Sequence, residues 1–317
     1  MQRTSIFVLV ALLALALLCA CAKKTTNVKT ELAPVPTKWT VGVSLLTKGH
    51  PFYRELESSM REAAAKNGVK LLVQSGEMDL PTQTHQVEDF VTQKVDAIVV
   101  CPVDSKSIAG AIKKANNAKI PVFTADISAQ GGDVVCHIAS DNVAGGKLAG
   151  EYMGKMLNGK GKIVIVNHPI VASVQDRVKG FKEAIAKTQI QIVDDQPGEG
   201  LRDKSMAVME NMLQKHKDLD GVFAINDSTA LGCLAAVRSA GHKDIIIVGY
   251  DGDPEARKAI LAGSELKADA VQYPREIGKT TIEAIVSHFN GEKLPKVMPV
   301  KVGLIDQASL KAEKKAE

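Results

Sequence analysis

Short apolar runs rich in β-branched residues recur along the chain, at 40–45, 70–73, 97–100, 122–124, 134–139, 163–166, 189–193, 222–225, 245–248 and 268–271. They are continuous rather than alternating, which predicts strands covered on both faces, as in a parallel sheet. Between them lie stretches of helical spacing, at about 52–67, 83–93, 105–117, 143–157, 174–187, 203–216, 228–240, 254–262 and 275–290. In the first of these, Phe52, Leu56, Met60 and Ala63 share one face and charged residues the other, and Gly68 closes the helix. Strand–helix alternation of this kind predicts doubly wound α/β architecture. Ten strands are more than the usual sheet of about four to six. A break near Ser140-Asp141-Asn142 divides them into two similar series, with no visible sequence repeat.

The start of the chain follows another pattern. Residues 6–20 form an unbroken apolar run behind Arg3, the form of a secretory signal over residues 1–20. The run ends in Leu18-Cys19-Ala20-Cys21, which resembles the bacterial lipobox, whose last cysteine is acylated and becomes the mature N-terminus. An uncleaved anchor helix is the alternative, and both readings export the rest of the chain. Residues 21–38 are polar, carry two prolines and read as a lipidated tether; residues 311–317 read as a polar tail.

Composition narrows the function. The chain has 317 residues, 45% of them hydrophobic and 24% charged, with a formal net charge of +4. That is ordinary for a globular protein, and the length favours two domains. With 4% aromatics and dispersed charge, there is neither a stacking platform nor a basic stripe for nucleic acid. Cys101, Cys136 and Cys233 each sit in an apolar run, and an odd number cannot all pair within the chain. Buried thiols are expected, with a Cys101–Cys136 disulfide as the alternative. Gly145-Gly146-Lys147 lacks the leading glycine of a P-loop and is followed by Leu148. No GxGxxG, GxSxG or HExxH occurs. No metal, cofactor or catalysis is therefore expected.

In open α/β sheets, ligands sit beyond the carboxyl ends of the strands. The residues there are His50, Phe52 and Tyr53; Asp126; Ser140, Asp141 and Asn142; His168, with Arg177 in the next helix; Asn226 and Asp227; Tyr250, Asp251 and Asp253; and Gln272. Carboxylates accept, amides donate and accept, and arginine donates a planar fork, so such a set can satisfy several hydroxyls at once. Asp141, Asp227 and Asp253 could instead be helix N-caps. That use does not account for the whole set.

Eight segments carry a family resemblance: HPFY (50–53), DAIVVCPVDS (96–105), IPVFTAD (120–126), HIASDNVAGGKLAG (137–150), RVKGF (177–181), FAINDSTALG (223–232), VGYDGDPE (248–255) and VQYPREIG (271–278). Over about residues 40–305 the chain resembles the ribose-type periplasmic sugar-binding proteins, of the periplasmic binding protein type 1 fold. The resemblance implies a lobe of 39–140 plus 273–300 and a lobe of 141–272 plus 301–310. Three hinge segments, near 140–142, 271–273 and 299–302, would join them, with a sugar or sugar-like ligand held between. It further implies an aromatic clamp of Phe52 and Tyr53, covering both faces or an edge of the ring. Carboxylates fall on Asp126 and Asp251, a hinge hydroxyl on Ser140, a fork donor on Arg177, an amide on Asn226 and a hinge glutamine on Gln272. The implied partner is an ABC permease with its ATPase, served by a monomer. A sensor subunit for a chemoreceptor or histidine kinase is the alternative. Repressor cousins begin with a helix-turn-helix; a signal stands here instead. Three positions depart from the ribose pattern: Ile127 replaces an arginine, His50 an asparagine, and Gly198-Glu199-Gly200-Leu201 an aromatic loop. They argue against ribose as the preferred ligand, with His168 a candidate replacement contact.

Overall fold

A computed structural model describes residues 36–316. The expected signal, Cys21 and the expected tether up to residue 35 lie outside the described residues. Two six-stranded sheets organise the rest. The first contains β1 (Trp39–Leu45), β2 (Val69–Ser75), β3 (Ala97–Val100), β4 (Val122–Ala125), β5 (Val134–Ser140) and β11 (Val297–Val300). The second contains β6 (Lys160–Asn167), β7 (Gln189–Pro197), β8 (Gly221–Ala224), β9 (Ile246–Asp251), β10 (Leu266–Val271) and β12 (Gly303–Asp306). Their orders, β2-β1-β3-β4-β5-β11 and β7-β6-β8-β9-β10-β12, are the same doubly wound pattern. Every pairing is parallel except β10 with β12. Each of β3, β4 and β8 is buried at all its positions, as continuous apolar runs require.

The helices are α1 (Pro51–Asn67), α2 (Leu80–Thr92), α3 (Ala109–Asn117), α4 (Asn142–Met156), α5 (Ala172–Ile185), α6 (Arg202–Lys215), α7 (Asp227–Ser239), α8 (Pro254–Leu261), α9 (Pro274–Phe289) and α10 (Gln307–Ala316). None of the described helices is long and apolar enough to cross a membrane. The chain passes from the first sheet to the second after β5, returns through α9 after β10, and passes again between β11 and β12. α4 and α5 pack backbone to backbone: a side chain at Gly146 would land on the carbonyl of Arg177. This close approach fixes where Arg177 leaves its helix.

Several expectations need correction. α3 begins at Ala109, because the Asp104 carboxylate accepts from the N–H groups of Lys106 and Ser107 and holds a turn there. Residues 311–316 of the expected polar tail form the last turns of α10, which buries Leu310. The cysteine expectation holds: Cys101, Cys136 and Cys233 are all free and buried, and the disulfide alternative is not formed. Of the three proposed caps, only Asp141 acts as one, accepting from Ala144 N at 3.0 Å. Asn226 rather than Asp227 caps α7, and the Asp253 side chain makes no cap bond.

Candidate functional site: a cleft between the two sheets

The carboxyl ends of the two sheets face one narrow cavity of about 60 Å³ that is partly open to solvent. His50, Phe52, Tyr53 and Asp126 line it from the first lobe, and His168, Arg177, Asn226 and Asp251 from the second, with Gln272 at a crossing strand. Ser140 is the one expected site residue absent from the lining. It ends β5 at the first crossing, buried, with its hydroxyl unpartnered. Sequence reasoning missed Leu46, Val171, Ser173, Val174 and Ile225, which also line the cavity. Most are apolar residues at strand ends or helix starts and carry no chemical signal of their own.

Pro51 starts α1, so Phe52 and Tyr53 occupy its first turn, at the mouth of the cleft. Their rings meet edge to face with centroids 5.2 Å apart. No sugar ring fits between them, so of the two expected arrangements, both faces or an edge of the ring, the pair forms a single aromatic wall rather than a two-faced clamp. The Tyr53 hydroxyl donates to Asp126 Oδ2 at 2.6 Å. That bond orients the carboxylate and leaves Oδ1, which is buried, without a partner. Burial pushes the Asp126 carboxyl up to about 6, against the opposing pull of Arg177 and the Tyr53 hydrogen bond.

Across the cleft, Arg177 is held on three sides. Nε donates to Asn142 Oδ1 at 2.9 Å, a terminal nitrogen donates to Ile225 O at 2.7 Å, and the guanidinium lies 3.9 Å over the Tyr250 ring. The same terminal nitrogen is 3.6 Å from Asp251 Oδ1. Gln272 donates to that oxygen at 2.7 Å, leaving its own Oε1 buried and unpartnered. Burial raises the Asp251 carboxyl and Arg177 opposes the rise. Asp126 and Asp251 both sit at positive φ, +63° and +116°. Aspartate tolerates the left-handed value at 126, whereas +116° at Asp251 lies beyond it and is strained, and such strain concentrates at functional sites. Burial lowers the pKa of both His50 and His168, leaving neutral imidazoles on the cavity wall.

The lobes touch at both ends of the cleft. At one end Ser105 N donates to Ile170 O at 3.2 Å, and Ala172 N to Ser105 Oγ at 3.0 Å. At the other, His50 Nδ1 meets Ser228 Oγ at 3.3 Å. Asn226 is partly committed: Oδ1 accepts from Thr229 N at 2.8 Å and Nδ2 donates to Gly200 O at 3.3 Å. Ile127, buried to 2% exposure, lines the cavity together with Leu46, Val171 and Val174. The cavity thus offers spare acceptors on its carboxylate and amide side and a hydrocarbon surface elsewhere.

Comparison with known proteins agrees with this fold. The ribose import binding protein RbsB of Salmonella typhimurium is 37% identical over 278 residues, covering 87% of this chain and 93% of that protein. The binding component of the arabinose ABC transporter from Shewanella sp. ANA-3, solved with α- and β-L-arabinofuranose, superposes with a TM-score of 0.81 at 29% identity, covering 87% of this chain and 95% of that one. The Caulobacter myo-inositol binding protein, solved with myo-inositol, has a TM-score of 0.81 at 29% identity, covering 89% and 97%. The model of the periplasmic binding protein domain matches residues 41–293. With two like-wound sheets facing one polar cleft, the chain belongs to the periplasmic binding protein family.

Proposed function

We propose that this protein captures a sugar or sugar-like polyhydroxyl compound between its lobes and delivers it to an ABC importer, tethered to the membrane by a lipid on Cys21. The observation that carries the ligand class is the pair of buried, unpartnered acceptors, Asp126 Oδ1 and Gln272 Oε1, on two residues that line the cleft. Buried polar atoms require partners, and only a ligand rich in O–H donors satisfies several such acceptors while accepting from Arg177. The formal charge of the lining, two carboxylates against one guanidinium with neutral imidazoles, disfavours an anion. The names of the relatives, which include ribose, arabinofuranose and inositol binders, support the same class.

Ligand and closure are linked through the division of the site. Phe52, Tyr53 and Asp126 belong to one lobe and Arg177, Asn226 and Asp251 to the other, so only the closed form engages both sets. A micromolar site corresponds to about −8.2 kcal/mol, within reach of a few charge-assisted hydrogen bonds and an aromatic wall. Ile127 refines the ligand. A polar oxygen at that edge would be buried against hydrocarbon without a donor, so the preferred sugar is less polar there: a deoxy sugar, an alternative ring form or a related compound. A thermal-shift screen over pentoses, hexoses, polyols and furanoses, followed by calorimetry, tests the reading. A sugar that raises the midpoint and loses affinity in Asp251→Asn supports it. No response to any sugar, or unchanged affinity in that variant, overturns it.

A further inference from the structure

Behind the cleft, the second lobe buries two more carboxyl groups that face no ligand. Asp227, the first residue of α7, is 1% exposed and Asp269, in the middle of β10, is 0% exposed. Both oxygens of Asp269 and Oδ1 of Asp227 lack hydrogen-bond partners. The groups share one small space. Where a side chain at Gly249 would begin, Asp269 Oδ1 already stands, and Asp227 Oδ1 is 3.3 Å from that point. The other oxygen of Asp227 accepts from Asp253 N at 2.6 Å. Asp251, which ends β9, Asp253, on the turn after it, and Arg257 on α8 are the charged groups that act on the pair. Arg257 is committed elsewhere: Nε donates to Gly252 O at 2.8 Å and a terminal nitrogen pairs with Glu313 at 3.0 Å.

Ionised carboxylates only accept hydrogen bonds. Two of them side by side, dry and without donors, suffer both desolvation and mutual repulsion. One proton removes the conflict, since a protonated carboxyl donates to its neighbour. We propose that Asp227 and Asp269 share one proton at neutral pH and act as positioning residues for the turn that carries Asp251. The shared proton leaves Asp227 Oδ2 free to hold the Asp253 N–H. Asp251 is fixed from its other side by Gln272 N, which donates to its carbonyl at 3.0 Å. The strained backbone at Asp251 is thereby clamped from both sides.

Burial raises both carboxyls; the charge of Asp269 adds to the rise at Asp227, and the charges of Asp251 and Asp253 take Asp269 to about 7 against the opposing hydrogen bond with Asp227. A raised folded-state pKa contributes stability that is present below the ordinary carboxylate range and is lost as pH rises through about 7. The test uses the ligand-free protein, so its result is independent of which compound the cleft takes. Thermal midpoints are measured from pH 5 to pH 9 for wild type, Asp269→Asn and Asp269→Thr; both variants keep a donor toward Asp227 without a titrating proton. Asp126 and Asp253 also titrate in this range but remain in both variants, so only the difference counts. The midpoint of wild type relative to either variant should fall by about 5 °C between pH 6 and pH 9. Infrared difference spectra at pH 7 should show a protonated carboxylic acid band in wild type that is missing from Asp269→Asn. Asp253→Asn should keep both the band and the Asp269-dependent drop. Parallel pH profiles in wild type and the Asp269 variants, absence of the band, or its loss in Asp253→Asn would overturn the proposal.

Discussion

Asp126→Asn separates binding from folding in a way the site geometry makes quantitative. Asparagine has the same shape, tolerates the positive φ of 63° at this position, and can still accept the Tyr53 hydroxyl through its carbonyl. What changes is the buried charge. In the ligand-free protein that charge is a burden, because burial raises the carboxyl from 3.8 to about 6. This corresponds to about 3 kcal/mol of stability present at low pH and lost as pH rises through 6. The ligand-free variant should therefore be more stable than wild type at pH 8, by up to about 3 kcal/mol, and equal to it near pH 4. Binding should move the other way. Oδ1 would become an amide nitrogen facing a ligand hydroxyl or, after a flip, leave Tyr53 without its acceptor. Either mismatch costs about 1–3 kcal/mol, a loss of roughly 5- to 150-fold. In wild type, ligand hydroxyls favour the ionised form, so affinity should fall about tenfold per pH unit below 6. Calorimetry with the best compound from the screen, beside denaturant unfolding at pH 4 and pH 8, reads both arms. Equal stability at pH 8, or undiminished affinity in the variant, refutes the account of Asp126.

Other parts of the molecule give further expectations. Ser228→Ala removes the lobe-to-lobe partner of His50 without altering the cavity lining, so stopped-flow dissociation should quicken about two- to tenfold; an unchanged off-rate means that this contact does not hold the lobes together. Ile127→Arg should improve ribose relative to the best wild-type ligand by at least tenfold, about 1.4 kcal/mol. Ribose already binding wild type roughly tenfold more tightly than every other candidate removes the reasoning from Ile127. Cys21→Ser should leave an unprocessed precursor or release protein from membranes on fractionation, and a lipid-bearing mature form of the variant would count against the anchor.

Strand positions were legible because this architecture buries strands on both faces, and only continuous apolar runs such as Ala97–Val100 permit that. β11 and β12 escaped for the opposite reason: each has only four residues, Pro299 interrupts the apolar residues of Val297–Val300 at a largely exposed sheet edge, and Gly303–Asp306 holds only two apolar positions, Leu304 and Ile305. The polar site residues were legible as chemistry at strand ends: those that the resemblance assigns to the ligand line the cavity except Ser140, whereas Asp141, Asn142, Asp227, Tyr250 and Asp253 from the same strand ends do not. Their mutual geometry was not. A pair of adjacent aromatics in the sequence is compatible with a sandwich, a wall or two separate contacts. The 5.2 Å edge-to-face packing, with the Tyr53 hydroxyl turned to Asp126, selects the wall. Asn226 and Asp227 are likewise indistinguishable as caps in sequence, and the choice is made by Asp227 being drawn to Asp253 N.

Asp269 shows how a legible pattern can conceal a chemical one. The run Ala268–Val271 reads as a buried strand because its neighbours are apolar, and it is one. A strand buried on both faces nevertheless has no place for an unpaired carboxylate. Once the strand assignment is accepted, the aspartate demands a donor, a cation or a proton. Arg257 is taken by Gly252 and Glu313, and Asp227 can donate only when protonated. The same reasoning, applied where the cavity opens, gives Asp126 a different solution: its partner is the Tyr53 hydroxyl on one oxygen and, in the proposed function, a sugar hydroxyl on the other. Two buried carboxyl systems in one chain thus separate by what they face. The one that faces the cleft loses stability to keep an acceptor open, and the one behind it keeps a proton to hold Asp251 in place.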